Sequence, residues 1–188
     1  MKAYRKIFLL AAMMFLSLTL VGIGLFNAGC DSSNSSTSTS GNSSSSSAKV
    51  APDFSIKTLS GETVSFSSLK GKPLVLNFGA SWCGPCELEA PVLAKVYEKY
   101  KDRVNFFGIA VRDQEEDQRA FAEKHGFKFP IGLDPDGKVL YNYQKAGKVN
   151  MSGIPTTFFI DKEGNIQAFF IGPISENTFD QRVSTILN

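Results

Sequence analysis

The sequence predicts an α/β sandwich, a β-sheet with helices packed on it, for residues 48–188. A nearly continuous apolar run over 73–78 is typical of a central buried strand. A helical segment from about 83 to 100 and a second apolar strand over 104–111 follow it, and together they form a strand–helix–strand unit. The chain then ends in a hairpin and a helix. This order of elements is typical of an α/β sandwich.

The remaining strands and the last helix are shorter. A short strand is predicted over 63–66, where apolar and polar residues alternate after a Ser-Gly turn. The two strands of the hairpin are predicted over 156–160 and 166–171, with a polar turn between them. Ser175 is a suitable N-cap for a final helix that reaches Leu187.

The two longer helices are predicted from apolar periodicity. The helix over 83–100 has four apolar residues that we expect on one buried face: Leu88, Val92, Leu93 and Val96. The second helix runs over 114–125 and is closed by Gly126.

The charge of the chain comes from its N-terminus. The formal net charge is +2, and Lys2, Arg5, Lys6 and the single anion Asp31 account for all of it. Residues 48–188 therefore have no net charge, so nothing indicates nucleic acid or anionic lipid as a partner.

Residues 1–30 are predicted to be an export signal. A positively charged start precedes an uncharged apolar stretch over 7–26, and the segment ends in Asn27-Ala28-Gly29-Cys30. This ending resembles the lipobox of bacterial lipoproteins, in which the cysteine becomes the lipidated first residue, although Asn27 stands where an apolar residue is usual. The alternative is an uncleaved helical anchor that spans the membrane. Both readings place the rest of the chain outside the cytoplasm and tether it to the membrane.

Residues 31–47 are predicted to be a flexible linker. They are almost entirely serine, threonine, asparagine and glycine, which cannot bury apolar surface. A coil of this length and composition extends on the order of 20 Å. The linker would therefore hold the domain just clear of the membrane.

Cys83-Gly84-Pro85-Cys86 at the predicted helix start carries the chemistry. Unsatisfied backbone N–H groups and the positive end of the helix dipole stabilise a thiolate there, so Cys83 should have a lowered pKa and act as the nucleophile. Cys86 lies one turn further on and can attack a mixed disulfide formed through Cys83. Pro85 fits an early helical position because its missing N–H is not needed there.

Two other functions for these cysteines are considered. A structural zinc site needs four ligands, but residues 48–188 have no further cysteine and one histidine, His125. We expect His125 to be a solvated residue at the end of a helix. A structural disulfide is also conceivable, but it would close a very small loop and stabilise little. Redox chemistry is therefore favoured.

Residues 78–86, Phe-Gly-Ala-Ser-Trp-Cys-Gly-Pro-Cys at a strand–helix junction, resemble the thioredoxin active site. Three further motifs are similar to the TlpA/ResA-like branch of tethered extracytoplasmic thioredoxins. They are Ala-Pro-Asp-Phe at 51–54, Cys-Glu-Leu-Glu-Ala-Pro at 86–91 and Gly-Ile-Pro-Thr-Thr-Phe at 153–158. The resemblance covers about residues 50–188. It implies a thioredoxin-like α/β/α sandwich with a mixed central sheet and a short N-terminal strand pair.

The resemblance also implies roles for residues around the cysteine pair. Pro155 would be a cis-proline that faces a redox-active Cys83–Cys86 disulfide, and the Ile154 backbone would pair with the substrate. Glu89 would be the acidic residue beside the pair. Three residues would support the site: Trp82, Gly84 and Pro85. No cofactor and no metal are implied beyond the disulfide itself.

Two positions depart from thioredoxin proper. Asn77 stands where thioredoxins have a buried aspartate that assists proton transfer, although the TlpA/ResA-like branch also has asparagine there. Gly79 stands where tryptophan is common, which should leave that side of the site less covered. A general thioredoxin role is therefore not expected.

The resemblance implies a disulfide reductase on the extracytoplasmic face of a bacterial cell membrane. Its substrates would be disulfides of exported proteins, for example in cytochrome c maturation, and a membrane thiol donor would reduce it again. A disulfide oxidase or isomerase would have the same site. A peroxiredoxin is disfavoured because Ala80 replaces the hydroxyl residue of its motif. A copper-binding Sco-type module would need a wider cysteine spacing and a distal-loop histidine.

Overall fold

A computed structural model describes residues 49–149 and 153–187. The predicted signal, the linker and the lipid-attachment candidate Cys30 lie outside these ranges. No helix within the described ranges has the length and apolar character needed to cross a bilayer.

A mixed six-stranded sheet forms the centre of the domain. Its strands lie in the order β1-β8-β7-β4-β5-β6. Their bounds are Lys49–Val50 (β1), Leu74–Gly79 (β4), Asn105–Val111 (β5), Ile131–Asp134 (β6), Thr156–Ile160 (β7) and Asn165–Ile171 (β8). Strands β4, β5 and β6 are parallel to one another, whereas β7 is antiparallel to β4. The predicted mixed central sheet is thereby confirmed.

A separate antiparallel pair precedes this sheet, as predicted. It consists of β2 (Ser55–Lys57) and β3 (Thr63–Ser65), and a 3₁₀ turn over Phe66–Leu69 follows it. The pair packs closely on the edge strand β6 at Gly132, where a Cβ atom would stand 2.6 Å from Ile56 Cγ2. Glycine is therefore required at that position of the edge strand.

Four helices cover the two faces of the sheet. They are α1 (Gly84–Tyr100), α2 (Glu115–Lys124), α3 (Lys138–Gly147) and α4 (Glu176–Ser184). Side chains of α3 and of the strand pair pack on one face, with Tyr143 at the centre of that apolar cluster. Helices α1 and α4 pack on the other face through Leu93, Val96, Phe179 and Val183. The two clusters form the core of an α/β/α sandwich.

The alternation of β4 places one polar side chain under α1. Leu74, Leu76 and Phe78 of this strand belong to the α3 side of the core, and Val75 belongs to the α1 side. Successive side chains of a strand point to opposite faces, so Asn77 faces α1 together with Val75. The buried strand therefore presents an amide beneath the helix that begins after Cys83.

The structure adds elements that were not predicted and corrects one expectation. Neither β6 nor α3 was predicted, because β6 is short and contains a glycine, and α3 begins after Gly137, whose φ is +74°. The expected position of Leu88 on the buried face of α1 is wrong, since its exposed fraction is 74%. Leu93 and Val96 are buried as predicted, and they share the buried face with Cys86, Glu89 and Ala90. A carboxyl group thus occupies the inner face where an apolar side chain was expected.

Candidate active site

The two cysteines lie at the first turn of α1. Cys83 is the N-cap residue with an extended backbone, and its Sγ accepts a hydrogen bond from Cys86 N at 3.2 Å. Pro85 occupies the first turn, where a backbone N–H is not needed. A disulfide joins Cys83 to Cys86, and the exposed fraction of each residue is 5%. The helix terminus therefore holds a dithiol/disulfide pair just below the surface.

The residues next to Cys83 form the outer rim of the site. Trp82 is 61% exposed, and Gly84 and Pro85 are also exposed. The Trp82 side chain is nevertheless oriented, because its Nε1 donates a hydrogen bond to Arg112 O at 3.1 Å. An exposed, oriented aromatic ring beside a reactive sulfur is suited to contact with a partner molecule.

The loop before Cys83 is anchored by a residue that sequence reasoning missed. Asp113, which is 8% exposed, accepts hydrogen bonds from Ser81 N at 2.6 Å and from Ser81 Oγ at 2.8 Å. Its carboxylate also accepts from Gln114 N at 2.9 Å, just before α2. Asp113 thus joins the loop after β5 to the loop that carries Trp82. The available signal was its place two residues after a buried parallel strand.

The segment before β7 faces the outer sulfur. The Ile154–Pro155 peptide bond is cis, as predicted. Ile154 O lies 3.7 Å from Cys83 Sγ, and Ile154 packs against the small cluster formed by Ala80, Cys83 and Cys86. The structure therefore brings Ile154 and Pro155 to the side of the disulfide that Cys83 occupies.

Glu89 lies inside the domain, one turn below Cys86. Its Oε2 accepts a hydrogen bond from Asn77 Nδ2 at 3.0 Å, and its Oε1 accepts from Ile174 N at 3.2 Å. Burial raises the pKa of Glu89 to about 7, and the two hydrogen bonds offset only part of the desolvation. Asn77 also donates to Thr157 Oγ1 at 2.9 Å, which fixes its orientation. Glu89 can therefore exchange a proton near neutral pH.

A small cavity borders the inner sulfur. Its polar lining comes from Asn77, Cys86, Glu89 and Gln118, and the apolar part includes Leu93 and Phe121. Gln118 was not singled out from the sequence, and its Oε1 is buried without a hydrogen-bond partner among the described residues. The inner side of the disulfide is therefore polar at a few defined points and otherwise apolar.

The expectation that His125 is solvated is wrong. Its side chain is 11% exposed, and its ring lies 4.6 Å from the Phe121 ring and 6.1 Å from the Phe127 ring. Its Nε2 lies 3.0 Å from Glu87 Oε2. His125 is thus part of the packing between α1 and α2. Within the described ranges no cluster of three or more histidine, cysteine or acidic residues is placed to hold a metal ion.

The sequence of this chain is similar to those of known thioredoxin-like proteins and thiol–disulfide oxidoreductases. Residues 48–169 match the AhpC/TSA family. The thioredoxin-like protein YneN of Bacillus subtilis is 36% identical over 136 residues, which cover 71% of this chain and 76% of that protein. The thiol–disulfide oxidoreductase ResA of Bacillus thuringiensis is 34% identical over 125 residues, which cover 66% of this chain and 69% of that protein.

Solved structures extend this similarity to the fold. A thiol:disulfide interchange protein of the thioredoxin family from Chlorobium tepidum is 33% identical with a TM-score of 0.66, over 75% of this chain and 97% of that one. A secreted disulfide oxidoreductase from Mycobacterium tuberculosis is 32% identical with a TM-score of 0.61, over 70% of this chain and 94% of that one. The chain therefore has a thioredoxin fold, and it belongs to the ResA-like thiol–disulfide oxidoreductases of the AhpC/TSA family.

Proposed function

We propose that this chain reduces disulfides of exported proteins through the Cys83/Cys86 dithiol. The proposal rests on one observation, namely that the two sulfurs have different surroundings. Cys83 is the helix N-cap beside the Ile154 carbonyl, whereas Cys86 borders a small cavity that Glu89 also lines. These surroundings support a role for Cys83 in meeting the substrate and a role for Cys86 in the proton exchange.

The reaction proceeds in two exchanges. The Cys83 thiolate attacks one sulfur of the substrate disulfide, a mixed disulfide forms, and the other substrate sulfur leaves as a thiolate that takes up a proton. Cys86 then loses its proton and attacks Cys83 Sγ. The bond between Cys83 and the substrate breaks, and the substrate leaves as a dithiol. The chain loses two electrons and becomes the Cys83–Cys86 disulfide, and these two electrons reduce the substrate disulfide to the dithiol.

A groove beside the outer sulfur supports a polypeptide as substrate. It has a volume of about 360 Å³, and Trp82, Arg112, Tyr141 and Ile154 are among the residues that line it. Trp82 and Tyr141 are both more than half exposed, at 61% and 63%. A substrate strand that pairs with the Ile154 backbone next to Pro155 would place flanking side chains in this groove.

The proposed location is the extracytoplasmic face of a bacterial cell membrane. The segment over 1–30 and Cys30 support a lipid or helical tether, and the linker over 31–47 would let the domain reach its substrates. A membrane thiol donor would reduce the disulfide after each turnover. An apocytochrome c is one substrate of this class, since it carries a pair of closely spaced cysteines.

The test is to trap the substrate. Cys86→Ser removes the resolving thiol, so mixed disulfides between Cys83 and substrate should accumulate in cells and be identified by mass spectrometry after non-reducing separation. Cys83→Ser/Cys86→Ser is the matched control and should trap nothing. Trapping of exported proteins with a pair of cysteines supports the proposal. Trapped partners that normally hold stable structural disulfides would favour an oxidase or isomerase.

A further inference from the structure

The groove beside the outer sulfur has one charged side chain among the described residues that line it, Arg112. Arg112 directly follows β5, and its guanidinium lies against Gly137 at the start of α3. A Cβ atom at residue 137 would stand 3.0 Å from Arg112 Nε and 3.3 Å from Arg112 Nη2, which is closer than most Cβ contacts. The absence of a side chain at Gly137 thus lets a guanidinium group lie beside the groove.

The acidic residues near Arg112 in the fold do not neutralise its positive charge. Asp113 and Asp134 are buried and accept backbone N–H hydrogen bonds, and Asp136 forms a salt bridge with Lys138. Arg112 is exposed, and within the described ranges its guanidinium forms no salt bridge and no hydrogen bond. Its N–H donors are therefore available to a ligand, and a carboxylate matches their planar fork.

A second donor in the groove also lacks an acceptor. Gln144 on α3 lines the groove and is 9% exposed, and its Nε2 is buried without a hydrogen-bond partner among the described residues. A buried polar group without a partner is costly, so a ligand that supplies an acceptor is favoured. The terminal torsion of a glutamine side chain is soft, which lets the amide turn toward an oxygen that enters the groove. Arg112 and Gln144 therefore both require an oxygen acceptor.

We propose that Arg112 and Gln144 form a subsite for a carboxylate side chain of the substrate polypeptide, so that the chain prefers cysteines with a nearby aspartate or glutamate. The inference rests on the proposed function, in which Cys83 attacks a disulfide of an exported protein. Ile154 lines the groove, and its carbonyl oxygen lies 3.7 Å from Cys83 Sγ. Since an extended strand rises by about 3.3 Å per residue, side chains within about three residues of the reactive cysteine can reach the groove.

Disulfide-linked homodimers of a one-cysteine peptide test this preference. Each peptide carries one glutamate at a different position within about three residues of the cysteine, and a matched set carries glutamine there. The reduced full-length chain, with Cys30→Ser so that only Cys83 and Cys86 react, converts each dimer to two peptide thiols and becomes the Cys83–Cys86 disulfide. Chromatography after an acid quench gives the rate. The rate of each dimer with dithiothreitol corrects for the effect of glutamate on the reactivity of the peptide disulfide itself.

The quantity compared is the ratio of the corrected rates for the glutamate and glutamine peptides. In the parent chain this ratio should reach about five at one position or more, as for a charge-assisted hydrogen bond at a partly exposed site, and it should fall as salt is added. Arg112→Gln should lower the ratio below about two, and Gln144→Leu should lower it to about half. Arg103→Gln removes an exposed arginine before the opposite end of β5 and should leave the ratio unchanged.

Equal rates for glutamate and glutamine peptides in the parent chain would overturn the inference. A ratio in Arg112→Gln or in Gln144→Leu that is as large as in the parent chain would also overturn it. So would a loss in Arg112→Gln that is confined to oxidised glutathione, because a site for small acidic disulfides would then replace a polypeptide subsite. A parent chain that reduces neither peptide set would instead contradict the proposed function.

Discussion

Glu89 lies one helical turn beyond Cys86, and its surroundings make the inner thiol different from the outer one. A buried carboxyl group whose pKa is about 7 is divided between its two forms at neutral pH. It can therefore accept a proton from a nearby thiol without remaining permanently ionised. The negative form also raises the pKa of a nearby thiol, because two anions repel each other. Cys83, at the helix N-terminus, has an environment that favours the thiolate.

The first prediction concerns stability against pH. The pKa of Glu89 is about 7 in the folded chain and 4.5 as its unperturbed value, so the unfolded chain ionises first as the pH rises. The free energy of unfolding should therefore fall between about pH 4.5 and 7, by up to roughly 3 kcal/mol. Glu89→Gln should remove this fall in denaturant unfolding of the oxidised chain. Glu62→Gln, at an exposed carboxyl group, is the control and should leave it unchanged.

Glu89→Gln should also change the pKa values of the cysteine thiols and the rate of the resolving step. Glu89→Gln removes the anion near Cys86, so at least one cysteine pKa should fall, while the resolving step should slow because its proton acceptor is lost. Thiolate absorbance against pH and the rate of the resolving step measure the two effects. If the parent chain and the Glu89→Gln variant have the same titration curves and rates, Glu89 has no influence on the pair.

The position of Glu89 beside the pair was predicted from the motif, but its burial was not. Hydrophobic periodicity assigns carboxyl groups to solvent and apolar side chains to the core. Leu88, and not Glu89, was therefore expected on the buried face of α1. Burial of Glu89 depends on hydrogen bonds from Asn77 and from Ile174 N, which are 12 and 85 residues away in the chain. Local sequence patterns do not contain such contacts.

At the scale of elements, the site is made by three chain segments that meet at one end of the sheet. The helix α1 supplies the cysteines, the segment before β7 supplies Ile154, and the loop after β5 supplies Arg112 and Asp113. The strands β4, β5 and β7 could be predicted from their apolar runs, and α1 from its apolar periodicity. The loop contacts could not, since Asp113 and Ser81 are 32 residues apart.

The second prediction concerns this loop contact. Asp113→Ala leaves Ser81 N and Gln114 N without their acceptor, which should lower the free energy of unfolding by about 1–3 kcal/mol. Trp82, the single tryptophan, should report the loosened loop by a change in fluorescence. Asp102→Ala removes an exposed aspartate and should change neither quantity. Equal stabilities for the two variants would mean that Asp113 does not hold the loop.

At the scale of the whole molecule, a redox domain is joined to a signal-like N-terminus. The domain over 48–188 has no net charge, so the signal and not surface charge would hold it at the membrane. The signal over 1–30 and the linker over 31–47 stay predictions from the sequence, because residues 1–48 lie outside the described ranges.

The third prediction tests this tether. Cys30→Ser removes the residue expected to carry lipid, so the chain should leave the membrane fraction or retain its unprocessed signal. Fractionation of cells combined with the mass of the N-terminal peptide measures this, and Ser32→Ala in the linker is the control. A variant that stays in the membrane with an intact N-terminus, as the parent chain does, would favour the uncleaved anchor.

Whether the Cys83/Cys86 pair works as a reductant can be read from its reduction potential. The full-length chain is equilibrated with glutathione or dithiothreitol buffers of known poise, and the oxidised fraction is read from Trp82 fluorescence and by thiol labelling. A reductant should show one two-electron transition well below roughly −180 mV, toward the reducing end of the thioredoxin-like range. A transition near about −120 mV, the value of the strong oxidant DsbA, would contradict it.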